Sequence, residues 1–273
     1  MMLPCINEAT TMTSDFITDM HAYAQAGFGT VELWLEKLER YLEAGNSIES
    51  AQQLLSRLAL TPVAACAEGG HLVSSGMERQ SGLERLRRRL ALCQALSVPV
   101  LIVYSESAQA VSEATYDLAA RNLAEVCDIA GEYGVRVALE FIKCSPLVGT
   151  LTTAQMLIAR ARRSNLGLLL DTFHFYAGVS KMEDLEGLRP NEVAFVHIND
   201  ALDRPREIWS DADRVLIGEG VLPLSEIMGM IRASGYDGYV SLELFNRALW
   251  EEDPFSVARR AYASVSDFLS SLK

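Results

Sequence analysis

The chain alternates short apolar runs with longer amphipathic segments from one end to the other. The apolar runs are rich in Val, Ile and Leu, and their length and composition predict buried strands. We expect eight strands, at 3–9, 30–35, 62–68, 99–105, 136–141, 166–171, 193–198 and 239–245. Because helical segments separate them, each strand returns through a crossover, and the pattern predicts parallel pairing.

The intervening segments show the 3.6-residue spacing of amphipathic helices. In 78–97 one face carries Leu83, Leu86, Leu90 and Cys93, and 113–134 repeats the pattern with Leu118, Leu123, Val126 and Ile129. Most of the opposite face of 78–97 is basic, which predicts a solvated surface made of Arg85, Arg87, Arg88 and Arg89. From capping preferences we expect helices to begin near Thr13 or Ser14, at Thr152 and Thr153 before 154–163, and at Pro254. We expect helices to end at Gly27, Gly134 and Gly235.

Eight strand–helix units in 273 residues match the size of a (β/α)8 TIM barrel. The alternative α/β architecture, a doubly wound open sheet, usually carries a glycine-rich phosphate turn after its first strand. Here the first strand continues into "INEATTMTSD", which contains no glycine. We find no linker or low-complexity segment, so we predict a single TIM-barrel domain over residues 1–273.

Composition and charge narrow the classes of partner. Hydrophobic residues make up 49% of the chain and charged residues 22%, as in a globular protein with a sizeable core. The net charge of -12 argues against nucleic acid and anionic membranes, which attract basic surfaces. The N-terminus shows no signal peptide, no apolar run could span a bilayer, and the five cysteines form no C-x-x-C pair. We therefore expect a cytoplasmic protein that acts on a small molecule.

Ionisable side chains occur at or near the ends of four consecutive predicted strands. They are Glu140, Asp171, His197 and Glu243, on strands five to eight. In a barrel these positions meet at one rim, where catalytic groups collect. Three carboxylates close together repel one another, and a bound cation removes that cost. We expect one divalent metal at this rim, with Mn²⁺ favoured by the oxygen-rich set and Zn²⁺, Co²⁺ and Mg²⁺ as alternatives.

Several stretches resemble the xylose-isomerase-like TIM barrel superfamily of sugar isomerases and epimerases. The resemblance is spread over the chain and is densest from about residue 135 onward. It is carried by "NEATT" at 7–11, "VALEF" at 137–141, "LGLLLDTFHFYA" at 166–177, "FVHINDA" at 195–201, "SDADRVLIGEG" at 210–220 and "VSLELF" at 240–245. Within the superfamily, the chain resembles in particular the inosose isomerases of inositol catabolism.

The resemblance assigns roles to individual positions. It implies that Glu140, Asp171, His197 and Glu243 hold the metal, and that Glu140 and Glu243 also move protons on opposite faces of the substrate. His174 of the D-x-x-H motif and Arg214, four residues before the first glycine of the G-x-G turn, would bind substrate hydroxyls. The alternative for Arg214 is a surface ion pair with Asp211 or Asp213. From its position on an early strand, we expect Trp34 to form an apolar wall for the sugar ring.

Two positions depart from the family pattern. The related epimerases carry a further glutamate six positions after the strand-five glutamate, and this chain has Pro146 there. Lys143 stands where the inosose isomerases suggest a different polar residue, and we expect it to contact the substrate. On the early strands, Glu32 is expected either to line the pocket or to pair with a lysine outside it.

These groups predict a metal-dependent isomerase or epimerase of a polyhydroxy ketone, an inosose or a ketose. Proton abstraction next to a metal-bound carbonyl would lead through an enediolate. The first alternative is a dehydratase of inosose or 3-dehydroshikimate on the same scaffold. A more distant alternative is a non-catalytic sugar-binding barrel. The DNA-cleaving endonuclease IV branch of the fold is disfavoured by the net charge and by only four histidines. By resemblance, a homodimer or homotetramer is expected.

Overall fold

A closed barrel of eight parallel strands forms the centre of the molecule in the computed structural model, which describes residues 2–106 and 110–272. The barrel strands are β1 (Leu3–Asn7), β2 (Thr30–Trp34), β3 (Thr61–Glu68), β4 (Val100–Tyr104), β5 (Arg136–Glu140), β6 (Leu166–Asp171), β7 (Val193–Ile198) and β10 (Tyr239–Leu242). Their order around the barrel is β1-β10-β7-β6-β5-β4-β3-β2. Each predicted strand is present, and the predicted (β/α)8 fold is confirmed.

Helices connect the strands and form the outer layer. They are α1 (Phe16–Ala26), α2 (Leu35–Glu43), α3 (Ile48–Arg57), α4 (Gly76–Ala95), α5 (Glu113–Glu132), α6 (Leu151–Ala161), α7 (Thr172–Ala177), α8 (Met182–Glu186), α9 (Leu224–Ala233), α10 (Arg247–Trp250) and α11 (Pro254–Ser271). Short 3-10 helices occur at Glu8–Thr11, Arg206–Ile208 and Asp211–Asp213. Apolar side chains between this layer and the strands form the larger part of the core.

A two-stranded excursion follows β7 at the carboxyl end of the barrel. Its strands β8 (Asp200–Ala201) and β9 (Arg214–Val215) pair antiparallel, with Ala201 opposite Arg214. The intervening residues, 202–213, form a loop that contains two of the 3-10 helices. This excursion brings a basic side chain from outside the barrel to the rim.

Alternation along the strands decides which side chains enter the barrel. Ala138, Leu169 and Phe195 belong to the small apolar cluster that fills the interior, separate from the outer core. Successive strand residues point to opposite faces, so the residues two positions further on also point inward. These are Glu140 and His197, together with Asp171, and they lie above the apolar layer. A packed interior therefore ends in polar groups at the rim.

The helix boundaries correct two sequence predictions in detail. The first helix is capped by Asp15 rather than by Thr13 or Ser14, since the Asp15 side chain accepts from the Thr18 amide at 2.8 Å. Helix α6 begins earlier than expected because Thr150, not a later threonine, is its N-cap. The expected start at Pro254 and end at Gly27 are confirmed.

The basic face of α4 is only partly solvated, which corrects the prediction for Arg85 and Arg89. Arg89 is 6% exposed and donates to Glu68 and Glu39, and Arg85 donates to the same Glu68. The cause is Glu68 at the end of β3, a fully buried carboxylate that requires positive partners. The sequence pattern of α4 could not show this partner.

All five cysteines are free thiols, four of them buried and Cys144 exposed. Across residues 2–106 and 110–272, no helix is long and apolar enough to cross a membrane.

Candidate metal centre

Four side chains from the ends of β5, β6, β7 and β10 converge at one point on the carboxyl rim. They are Glu140, Asp171, His197 and Glu243, and one potential ligand atom of each lies within 4.8 Å of the others. All four residues are buried. The structure thus brings together the set expected from the strand ends.

The imidazole of His197 lies among the carboxylates with its Nδ1 atom facing them. Nδ1 is 3.2 Å from Oε2 of Glu243, 3.7 Å from Oε1 of Glu140 and 3.8 Å from Oδ2 of Asp171. Neither Nδ1 nor Oε1 of Glu140 makes a hydrogen bond with any described residue, although both atoms are buried. Two buried lone-pair atoms that face each other without a donor are suited to a shared cation.

Neighbouring groups hold the carboxylates in place. Asp171 ends β6 and caps α7, with Oδ1 accepting from the amide of His174 at 2.8 Å. Its other oxygen, Oδ2, accepts from the side-chain amide of Asn199 at 3.1 Å and turns toward the centre. On the opposite side, the Asn7 amide donates to Oε1 of Glu243 at 3.0 Å. Capping and amide donors therefore leave one oxygen of Asp171 and one oxygen of Glu243 aimed at the other ligands.

Arg214 brings a guanidinium group into the site and is 1% exposed. Its Nη1 donates to Asp171 at 2.8 Å and to Glu243 at 2.7 Å. Its Nη2 donates to Asp211 at 2.9 Å and lies 3.1 Å from Nε2 of His174. The expected ion pair with Asp211 is present, but on a buried arginine inside the site rather than at the surface.

The G-x-G turn positions Arg214 through the carboxylate of Asp200. The amides of Gly218 and Gly220 donate to Oδ2 of Asp200, each at 3.1 Å, and the Leu222 amide donates to Oδ1 at 2.9 Å. A Cβ atom on Gly220 would lie 2.3 Å from the Ala201 carbonyl oxygen, so only glycine fits there. The turn wraps Asp200 and fixes the β8–β9 pair from which Arg214 extends.

Burial and charge push the two glutamates in opposite directions. Burial raises the pKa of Glu140 to about 7, with the nearby His197 opposing the shift and the charge of Glu243 adding to it. Burial acts on Glu243 as well, but the charges of His197 and Arg214 outweigh it and lower the pKa to about 2. Burial lowers the pKa of His174. The two glutamates thus differ in proton affinity while facing the same point.

A cavity of about 330 Å³ opens onto three of the four ligands, Glu140, His197 and Glu243. Trp34 and Phe245 form one wall, with ring centroids 5.9 Å apart and planes at 72°. The other lining residues are Glu36, Cys66, Ala67, Ile102, Tyr104, Ser105, Glu140, Ile142, His174, His197, Asp211, Arg214 and Glu243. An aromatic wall opposite charged and polar groups suits a ring with one apolar face and several hydroxyls.

Lys143 is the one expected substrate contact that does not line this cavity. Its ammonium donates to the backbone carbonyl of Trp209 and lies 5.4 Å from the centre of the Phe173 ring. Lys143 therefore ties the segment after β5 to the excursion.

The position of Pro146, where the related epimerases carry a glutamate, follows Ser145. The Ser145 hydroxyl hydrogen-bonds to that of Ser105 at the cavity edge, with 2.7 Å between the oxygens.

Several neighbours of the site were not predicted from the sequence. Asn7 and Asn199 lie at strand ends, where an uncharged amide gives no sign of a site. Phe245 reaches the cavity from the segment after β10, and Asp211, expected only as a surface partner of Arg214, lines the cavity as well. Glu32 neither lines the cavity nor pairs with a lysine, because its carboxylate accepts from His197 inside the barrel.

Comparison with known proteins shows what this architecture resembles. An inosose isomerase of Halalkalibacterium halodurans is 30% identical over 252 residues, which is 88% of this chain and 87% of that protein. A 3-dehydroshikimate dehydratase of Pseudomonas aeruginosa is 30% identical over 231 residues, 83% of this chain but only 36% of that longer protein. Among solved structures, the IOLI protein with a bound zinc atom superposes with a TM-score of 0.94 at 26% identity, covering 100% of this chain and 99% of that one.

The family assignment rests on a profile match that covers most of the chain. The family described as xylose isomerase-like TIM barrel matches residues 20–268, which include all four residues of the candidate metal centre. The closed barrel and the 30% identity to an inosose isomerase agree with this family match. This chain is a member of the xylose isomerase-like TIM barrel family.

Proposed function

We propose that this protein is a divalent-metal-dependent isomerase or epimerase of a polyhydroxy ketone, with an inosose as its first candidate substrate. One observation carries the proposal: two glutamates, an aspartate and a histidine offer ligand atoms within 4.8 Å of one another, and the two glutamates and the histidine line a cavity. The relatives named inosose isomerases support the substrate, and the proposal brings their activity to this chain.

The donor set fits a divalent metal. Three carboxylate oxygens and one imidazole nitrogen suit Mn²⁺, Zn²⁺ or Co²⁺, and the zinc atom in the IOLI protein makes zinc the first ion to test. Nδ1 of His197 and Oε1 of Glu140 are buried without a hydrogen-bond partner among the described residues, and a bound metal would give both atoms a partner. When bound, the metal would polarise a substrate carbonyl and stabilise the negative charge that develops on its oxygen.

Glu140 and Glu243 are positioned to move the proton. They reach the centre from β5 and from the end of β10, with β6 and β7 between them in the barrel order. A carbon held between them would present one face to each carboxylate. One glutamate would take the α-proton and the other would return a proton, to the opposite face in an epimerisation or to the neighbouring carbon in an isomerisation.

Arg214 and His174 would hold the hydroxyls of the substrate. Arg214 offers planar donors that are already oriented by Asp171, Glu243 and Asp211. His174 lies beside it, with Nε2 3.9 Å from Oε1 of Glu140. The Trp34 and Phe245 rings would cover the apolar face of the ring, and a cavity of about 330 Å³ lies in the range of small-ligand sites.

A proton NMR time course in D₂O tests the proposal. Zinc- or manganese-loaded protein is incubated with inosose, free ketohexoses and 3-dehydroshikimate, and an EDTA-treated sample serves as control. We expect metal-dependent deuterium uptake at the carbon next to the carbonyl, together with a new stereoisomer or regioisomer. Absence of exchange with every one of these ketones would contradict the proposed substrate class.

A dehydratase is the second candidate, and the similarity to 3-dehydroshikimate dehydratases favours it. The same α-proton would be removed, and loss of a β-hydroxyl would follow. An alkene signal in the same NMR experiment would identify this reaction.

A further inference from the structure

Glu32 is a carboxylate buried inside the barrel beneath the metal centre. Glu32 lies in β2 and is 0% exposed. Strands β1 and β10 separate β2 from β7, which carries His197. Its two oxygens lie 2.9 Å and 3.0 Å from Nε2 of His197. The contact therefore crosses the barrel interior, and it lies on the side of the imidazole opposite to the carboxylate cluster.

His197 is the ionic partner of Glu32 in the described part of the chain, where no lysine or arginine pairs with it. The charge of Glu32 also reaches Cys66, whose pKa is raised well above its usual value, first by burial and then by this charge. A carboxylate in such surroundings requires a hydrogen-bond donor. The Nε2–H group of His197 is that donor.

This pairing fixes which nitrogen of His197 carries a proton. An imidazole that binds a metal is neutral, so one nitrogen donates a proton and the other offers its lone pair. Because Nε2 donates to Glu32, the lone pair is on Nδ1, the atom that faces Glu140, Asp171 and Glu243. The same contact sets the rotation of the ring, since both oxygens of Glu32 accept from one Nε2 atom.

We propose that Glu32 is a positioning residue that holds His197 in the tautomer and orientation required for metal binding through Nδ1. This inference rests on the proposed metal-dependent function. It assigns a role to Glu32, which is not one of the four ligands and does not line the cavity. Carboxylates that orient a metal-binding histidine typically change metal affinity by about 10–100-fold when they are replaced.

The first test measures zinc affinity of the purified full chain by competition with a chromophoric chelator. In Glu32→Gln the side-chain volume is kept, but the amide can turn its NH₂ group toward Nε2 and no longer selects one tautomer. We expect zinc to bind about 10–100-fold more weakly to this variant. An affinity within about twofold of the unmodified protein would overturn the inference.

Glu68→Gln is the matched control for this test. Glu68 is also a fully buried glutamate on a barrel strand, and it also pairs with a histidine, His71, at 2.6 Å. It does not contact any of the four ligands. We expect the Glu68→Gln protein to bind zinc as tightly as the unmodified protein. A loss of affinity in Glu32→Gln alone then cannot result from the removal of a buried charge in general. A similar loss in both variants would contradict a specific role for Glu32.

The second test uses the unmodified protein and so does not depend on the folding of a variant. Long-range ¹H–¹⁵N NMR of the zinc-loaded protein reports the protonated nitrogen of each of its four histidines. We expect His197 to carry its proton on Nε2, and a proton on Nδ1 would overturn the inference. If the unmodified protein binds no zinc or manganese, the proposed function fails as well. If it binds metal normally but the two tests fail, only the role of Glu32 is wrong.

Discussion

At the scale of single residues, the two glutamates that face the metal centre are the groups on which turnover depends. Glu140→Gln and Glu243→Gln keep the size of the side chain but remove the carboxylate that carries the proton. We expect each to lower kcat by about 10²–10⁴-fold, the usual contribution of general acid–base catalysis. Turnover and deuterium uptake at saturating metal are the measurements.

Glu226→Gln, on the exposed surface of α9, is the control for this pair and is expected to keep full activity. Because glutamine binds metal less well than glutamate, bound metal must be quantified in each variant. Near-normal rates in both site variants with metal bound would rule out the proton-transfer role.

The polar groups at the rim could be predicted from the sequence because period-2 strands and parallel pairing place strand ends together. This reasoning reached Asp171 and His197 without knowledge of any distance. It did not reach Asn199, which holds Asp171, because amides carry no charge and strand-end amides are common. It also left the role of Glu32 open, because a contact across the barrel joins residues from strands that are distant in sequence.

At the scale of elements, the β8–β9 excursion controls where Arg214 points. Gly220→Ala would place a Cβ atom 2.3 Å from the Ala201 carbonyl oxygen and 2.4 Å from Oδ1 of Asp200, so the turn must open. We expect a loss of about 1–3 kcal/mol in the free energy of unfolding, as for other overpacked sites. Because the turn positions Arg214, kcat/KM should fall as well.

Gly229→Ala provides the contrast, because a Cβ atom at this position in α9 meets nothing within 4 Å. Alanine is the better helix former, and we expect this variant to gain about 0.5–1 kcal/mol with unchanged activity. Urea unfolding and steady-state kinetics compare the two variants. Equal behaviour of both would show that the turn around Asp200 is not required.

The segment after β3 depends on the buried charge of Glu68. Burial opposes the ionised form, but hydrogen bonds from His71 and Arg89 and the charge of Arg89 lower the pKa of Glu68 below its usual value. Its stabilising contribution is therefore present above the ordinary glutamate pKa of about 4.3, and it is lost as the pH falls through the lower folded-state value.

We expect Glu68→Gln to reduce the free energy of unfolding by about 3 kcal/mol at pH 7, the low end for a broken buried ion pair, since the amide can still accept a hydrogen bond. The difference from the unmodified protein should shrink once the pH falls below about 4. Urea unfolding at pH 7 and at successively lower pH measures it. A difference that stays constant or grows toward acid would contradict the charge argument.

At the scale of the whole molecule, the alternation of strands and helices was sufficient to predict the closed barrel. Eight apolar runs separated by amphipathic helices permit few other arrangements. The main alternative, a doubly wound open sheet, was disfavoured because no glycine-rich turn follows β1. The excursion between β8 and β9 was not predicted, because its strands have only two residues each and no periodicity reveals such short elements.

The proposed metal joins the ends of four barrel strands that are distant in sequence, so it should stabilise the fold as a whole. A ligand that binds only the folded state adds about 2.7 kcal/mol at 100 times its Kd. For a chain of this size, about 2–4 °C of Tm corresponds to 1 kcal/mol, so we expect zinc to raise Tm by about 5–10 °C. Differential scanning calorimetry with and without zinc, followed by EDTA, measures this shift and its reversal.

Asp171→Asn separates a site-specific effect from general binding of zinc to cysteines and histidines. The variant keeps the four histidines and five cysteines of the chain but weakens one ligand of the centre. We expect its Tm to respond to zinc much less than that of the unmodified protein. A full shift in Asp171→Asn would place the stabilising zinc elsewhere, and no shift in either protein would contradict a metal centre at the ends of β5, β6, β7 and β10. Because the measurement does not require a substrate, it tests the metal centre independently of the reaction.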